Sequence, residues 1–372
     1  MKRSLAVLLL FIAVSAPAQQ VASTGLVRMA PDGEYIAATV ELEQFPGVRN
    51  LVTMQLADGS AQAVTGFADS HVSSFFWAND DRLVFSVEKS DDNGNGIYLG
   101  SYTILRDGSG GLKLQERLRR RAAGKLSTGS PPSLLHRLPT NWNSVLISRT
   151  EPTAVLPEVF QLDAATGRMR RVVGSQYSIT EWIADNQGAV RAAVDRGADV
   201  LDGSNRLLYR DSADDEWRKL LDFSDERMQV LGFHADNRRL IVLARGELGG
   251  KALHYLNPTG ELGERLLSDS DFDLANRDGA AGLVQTARGD IMYYQYFADT
   301  VRTIYFDSRW ESRQQVIDEA LSGSVNTIID WSDDERQALV TAVAPDGSVD
   351  YYLFDTTFRE LKFLQPPGAW IR

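Results

Sequence analysis

Cysteine is absent from the 372 residues. That one absence removes disulfides, zinc–thiolate centres, a cysteine nucleophile and a lipidated N-terminal cysteine. Histidine is scarce: His71, His136, His234 and His254 are the only four. They lie too far apart for a short metal motif such as H-E-x-x-H, so each reads as structural and no metal is assigned. No Gly-x-Ser-x-Gly pentapeptide occurs. Such a motif exposes a nucleophilic serine on a strained strand-to-helix turn, which needs small residues on both sides. The nearest cluster, Gly108-Ser109-Gly110-Gly111, reads as a hairpin loop. No segment carries a long apolar stripe of 3.6-residue period, which argues against alternating strands and helices.

The apolar run Leu5 to Val14 follows Met1-Lys2-Arg3 and precedes Ala16-Pro17-Ala18. This is the layout of a secretory signal peptide, with cleavage expected after Ala18. The run is shorter than the about 20 residues that span a bilayer, so no membrane insertion is expected once it is removed. A periplasmic or secreted protein follows. The formal net charge is -11, and an acidic surface repels phosphate backbones and anionic headgroups, so a nucleic-acid partner is excluded as an expectation.

A repeat runs through the chain. Its clearest part is a polar turn followed by a β-rich run, as in Pro31-Asp32-Gly33 before Tyr35 to Val40, or Asn79-Asp80-Asp81 before Leu83 to Val87. With Asp32, Asp80, Asn141, Asn186, Asp236, Gly289 and Asp333 as markers, the spacings are 48, 61, 45, 50, 53 and 44 residues. Propeller blades repeat at roughly 40 to 50 residues. The long interval contains the polar stretch Gln115 to Ser133, which has no strand pattern and reads as a loop. The expected fold is all-β: a seven-bladed β-propeller with four antiparallel strands per blade, occupying 19–372 after a signal peptide at 1–18. The blades fall near 24–66, 72–117, 136–174, 178–222, 227–268, 280–318 and 323–365.

Three stretches carry a family likeness: Arg28 to Ile36 in blade 1, Leu135 to Pro139 continuing to Pro157–Arg168 in blade 3, and Trp182 to Arg191 in blade 4. Their wording resembles the propeller of prolyl oligopeptidase-family serine peptidases of the dipeptidyl and acylaminoacyl peptidase kind. The resemblance implies a ring that gates access to an α/β-hydrolase domain or partner chain and admits peptides. In that family the hydrolase follows the last blade, whereas this sequence stops at Arg372 and contains no hydrolase motif. The expected function is therefore a non-catalytic gating propeller, the alternative being a stand-alone periplasmic binding or scaffold module. No catalytic residue and no cofactor are expected.

Three further features bear on candidate sites. Asp91, Asn93 and Asn95 stand at alternate positions with Gly96 sixth, as at the start of a calcium loop, but position twelve is Tyr102 instead of a bidentate glutamate, so a plain turn is favoured. Trp77, Trp142, Trp182, Trp310 and Trp331 recur near strand starts and turns, where burial between blades explains them best. The pairs Asp80-Asp81, Asp214-Asp215 and Asp333-Asp334 are expected to satisfy backbone donors in their own turns.

Overall fold

Within each repeat, hydrophobicity falls from the second strand outward, and that gradient builds a blade. The second strands, such as Tyr35–Glu41, Val190–Asp195 and Leu240–Arg245, are buried on both faces because a blade packs against a neighbour on either side. Two-sided burial replaces the alternating pattern by a continuous apolar run. The outer strands, such as Arg168–Val173 and Leu262–Leu267, are largely exposed and charged, which protects their free edges from pairing with other chains.

The computed structural model describes residues 26–91, 96–115, 119–120, 126–127, 129–138, 140–152, 154–174, 178–197, 204–224, 228–245, 250–275 and 282–371. They form a seven-bladed β-propeller, with blade 1 at 27–63, blade 2 at 71–113, blade 3 at 133–173, blade 4 at 179–224, blade 5 at 228–267, blade 6 at 283–305 and blade 7 at 325–364. Each sheet consists of consecutive antiparallel strands. The innermost strand Val27–Met29 meets both His71–Trp77 and Val325–Trp331, and Ile179–Ala184 meets Ser133–Arg137 and Met228–Phe233, so the first strands surround the axis.

Two details differ from the expected repeat. Blade 6 has three strands among the described residues, and helix α1, Ser308–Ala320, follows its third strand. Asp307 caps the helix by accepting from the Arg309 N–H at 2.9 Å. Trp310 and Ile317, two helical turns apart, are both fully buried and join a core shared with Ile328, Val340 and Phe354 of blade 7. Only these two of the thirteen helical residues are buried, too narrow a stripe to register as a helical period. The second difference lies between blades 2 and 3, where the stretch expected to be a loop contains a short antiparallel ladder, Arg119–Arg120 with Leu126–Ser127.

Two tryptophans at the innermost strands clamp neighbouring blades. Trp77 donates its indole N–H to Arg28 O at 3.1 Å, tying blade 2 to blade 1, and Trp182 donates to Pro157 O at 2.8 Å, tying blade 4 to blade 3. The ring closes where blade 7 meets blade 1. There Asp333 N–H donates to Pro31 O at 2.7 Å, Met29 N–H to the Asp330 carboxylate at 2.8 Å, and Lys362 Nζ to Leu56 O at 3.1 Å. An apolar cluster with Val27, Ile36, Leu339 and Leu353 fills this seam, and Trp370 and Ile371 pack on it from outside. Among the described residues no helix is long and apolar enough to cross a membrane.

Candidate functional site at the channel mouth

Because strands alternate in direction, every turn between first and second strands opens on one face of the ring. The seven marker turns of the repeat are these turns, so the sequence signal gathers around one mouth of the channel. Across 30–34, 78–81, 138–143, 185–189, 234–239, 286–290 and 332–336 the sequence has ten acidic and four basic residues, and Arg106, Arg137, Arg191 and Arg309 reach these turns from flanking positions, which leaves the mouth mildly anionic.

Two cavities indent it. The first, about 480 Å³, lies between blades 1, 2, 3 and 7 and is lined by Asp32, Asp80, Asp333, Asp334, Leu138 and Trp142. The second, about 540 Å³, lies towards blades 6 and 7 beside Arg288, Asp290, Arg309, Asp330 and Glu335. Arg137 stands between them: its Nη1 donates to Asp333 Oδ1 at 3.3 Å and its Nε to Trp77 O at 3.2 Å.

The acidic wall arises from a small change in turn chemistry. In blade 5, Asp236 caps its own turn by accepting from the N–H groups of Arg238 and Arg239, both at 2.9 Å. Blade 4 uses Asp185 in the same way, towards Gln187 and Ala189. In blade 2 the capping acceptor is Asn79, one residue earlier, which takes the N–H groups of Asp81 and Arg82 at 3.0 and 2.9 Å. Asp80 is thereby released from the turn. Burial, then the nearby charges of Asp32 and Asp333, push its pKa up to about 6. Asp32 is also raised, by burial first, although Arg106 lies 3.6 Å from it, reaches Asp81 at 3.3 Å and stacks 4.1 Å above the Tyr35 ring. Asp330, deeper in the channel, is raised by burial while it accepts the Met29 N–H.

The expectation for the aspartate pairs therefore holds only in part. Asp334 does serve its own turn, accepting from Arg336 N–H at 3.0 Å and from Ser332 Oγ at 2.7 Å, whereas Asp80 and Asp333 face the cavity. The tryptophans need a similar correction. Trp77, Trp182 and Trp310 are buried, but Trp142, in the turn between the first two strands of blade 3, is 54% exposed and lines the cavity.

Of the other sequence candidates, Ser109 donates its hydroxyl to Asp107 at 2.6 Å within a hairpin turn. Three histidines make separate local contacts: His71 with Arg49, His136 with Asn186 and His234 with Asp236. Asp91 is described, while Asn93 and Asn95 lie outside the described residues. Among the described residues no group of three or more His, Asp or Glu side chains is placed to hold a metal ion.

Fold and site together define a seven-bladed propeller with an anionic, partly aromatic mouth. No protein-family model matches the sequence, and no curated protein matches it. Solved structures do resemble it: a puromycin hydrolase (17% identity, TM-score 0.56, covering 92% of this chain and 54% of that one) and a Mycobacterium tuberculosis puromycin-hydrolyzing peptidase (13%, 0.54, 93% and 55%). A prolyl endopeptidase is also similar (10%, 0.52, 91% and 49%). The fold is thus that of the propeller in prolyl oligopeptidase-family structures, and the chain spans about half the length of each of these three.

Proposed function

We propose that this chain is the substrate-admitting ring of a prolyl oligopeptidase-type serine peptidase. It covers a hydrolase domain or partner, passes short peptides along its axis, excludes folded proteins by its width and supplies no nucleophile. The observation that carries this reading is the seven-bladed ring, similar over 91–93% of the chain to about half of three such peptidases. A second support is the face opposite the anionic mouth. There the turns between second and third strands expose Val155 (92%), Phe297 (63%) and Val301 (58%), and the first strand of blade 7 starts with Val325 (68%). Exposed apolar side chains of this kind suit a surface that another domain covers. In this reading residues 1–18 direct export, and the ring works in the periplasm or outside the cell.

The test is to purify the chain and assay it on proline-containing peptides and on puromycin, alone and with any α/β-hydrolase encoded beside it. The chain alone is expected to be inactive, and the mixture to form a complex that cleaves peptides but not folded proteins. Turnover by the isolated chain would overturn the reading. The anionic mouth favours one second reading, a stand-alone binding module, which gains if no adjoining hydrolase associates.

A further inference from the structure

We infer that the cavity between blades 1, 2, 3 and 7 binds an organic cation carried on an apolar body: an alkyl- or arylammonium, or a guanidinium. The inference concerns this chain by itself and stands or falls independently of any hydrolase partner.

Four observations converge. The cavity, about 480 Å³, is within the roughly 300–1,000 Å³ of small-molecule sites and far larger than a bare ion needs. Its lining carries four carboxylates and one guanidinium: Arg137 pairs with Asp333; Arg106 and Arg336, which do not line it, reach Asp32 and Asp334; and Asp80 alone of the four makes no ion pair with a described residue. Ser144 lines the floor at 5% exposure, and its hydroxyl makes no hydrogen bond to any described residue, which leaves an unused donor and acceptor facing the cavity. Trp142, more than half exposed, and Leu138 line the same cavity, and the Trp142 backbone is tied to the Asp80 turn by Asn79, which donates to Trp142 O at 2.9 Å. An indole face attracts cations and packs against apolar groups. These carboxylates are not arranged as a metal site, whereas an ammonium or guanidinium on an aliphatic or aromatic stem meets the acidic wall, the hydroxyl and the ring together.

Affinity should depend on pH. Asp80 is faced by Asp32, Asp81 and Asp333, which favour its protonation, with Arg137 across the cavity and Arg106 behind Asp32. Raising the pH through about 6 ionises Asp80 and strengthens the site.

Calorimetric titration of the full chain with 2-phenylethylammonium, against 2-phenylethanol and 3-phenylpropionate, tests the inference without relying on any variant. The ammonium should bind one-to-one, at least about tenfold more tightly than either analogue, more weakly at high salt and more tightly at pH 7.5 than at pH 5. Asp80→Asn with Asp333→Asn should weaken it about tenfold or more, and Trp142→Ala about threefold. A peptide with a free amino terminus but no Lys or Arg, and an acetylated peptide with one Arg, distinguish a terminal ammonium from a side-chain guanidinium, and binding of either supports the site. Equal affinity for the neutral alcohol, or an unchanged affinity in the folded double variant, would overturn it.

Discussion

The two sides of the channel mouth are built from the same turn and carry opposite electrostatics. On the blade 4–5 side, Asp185 is buried but neutralised: Arg191 Nη1 lies 3.1 Å from it, and the same guanidinium donates to the Tyr209 hydroxyl at 2.8 Å and to Asn237 O. On the blade 1–2–7 side, Asp80 makes no ion pair with any described residue, and its neighbours are further carboxylates. A repeated motif thus serves as a joint where a partner was supplied and as a site where it was withheld. The joint should behave as structure and the site as an electrostatic cost that a ligand could relieve.

The largest expected effect lies at the joint. Arg191→Met leaves Asp185 buried without its partner and should cost about 3–5 kcal/mol in denaturant unfolding. A loss under about 1 kcal/mol would mean that the guanidinium is not holding the seam.

Next comes pH, where the two sides should pull in opposite directions. The native pKa of Asp80 lies above its ordinary 3.8, so the unfolded chain loses this proton first, and stability falls as pH rises from near 4 to about 6. Asp80→Asn should abolish that fall and be more stable by about 1 kcal/mol at pH 7, a figure reduced for partial solvent exposure. Asp236 is the reverse case. Burial alone would raise its pKa, but bonds from Arg239, Arg238 and His234 hold it well below the usual carboxylate range. Its contribution is present above pH 4 and is lost on acidification, so Asp236→Asn should flatten the acid limb of the stability profile.

Smaller still is a backbone effect. Asn237 and Glu335 occupy the same left-handed position in their turns, at φ of 53° and 58°. Glu335→Gly should gain about 0.5 kcal/mol by relieving strain, less whatever its contacts to exposed Arg309 and half-buried Arg313 contribute. Asn237→Gly should lose about 1 kcal/mol, because the Asn237 carboxamide accepts the Asn186 N–H at 2.9 Å. The same substitution should therefore change sign across the mouth. Least of all, Trp142→Ala should leave stability within about 0.5 kcal/mol, as expected for an exposed side chain.

The ring was legible in the sequence because each blade advertises itself locally: a polar turn, an apolar second strand, then a charged outer strand. What escaped depended on neighbours far away in sequence. Asn79 and Asp80 look interchangeable as turn caps, and only the fold shows Asn79 taking the backbone donors while Asp80 meets Asp32 and Asp333 from other blades. Trp142 reads like Trp77 in the sequence, yet Trp77 ends a buried inner strand and Trp142 sits in a turn, 54% exposed; α1 buries too few residues to mark its period. The anionic site could have been suspected from one signal alone, the recurrence of aspartate in turns that must all open on the same face.

One side of this mouth holds a carboxylate without a counter-charge, and a site-resolved NMR titration of the Asp80 side-chain carboxyl tests this most directly. A midpoint of about 6 is expected, moving down when Asp333 is changed to Asn. A midpoint near the ordinary 3.8, unmoved by that substitution, would contradict it.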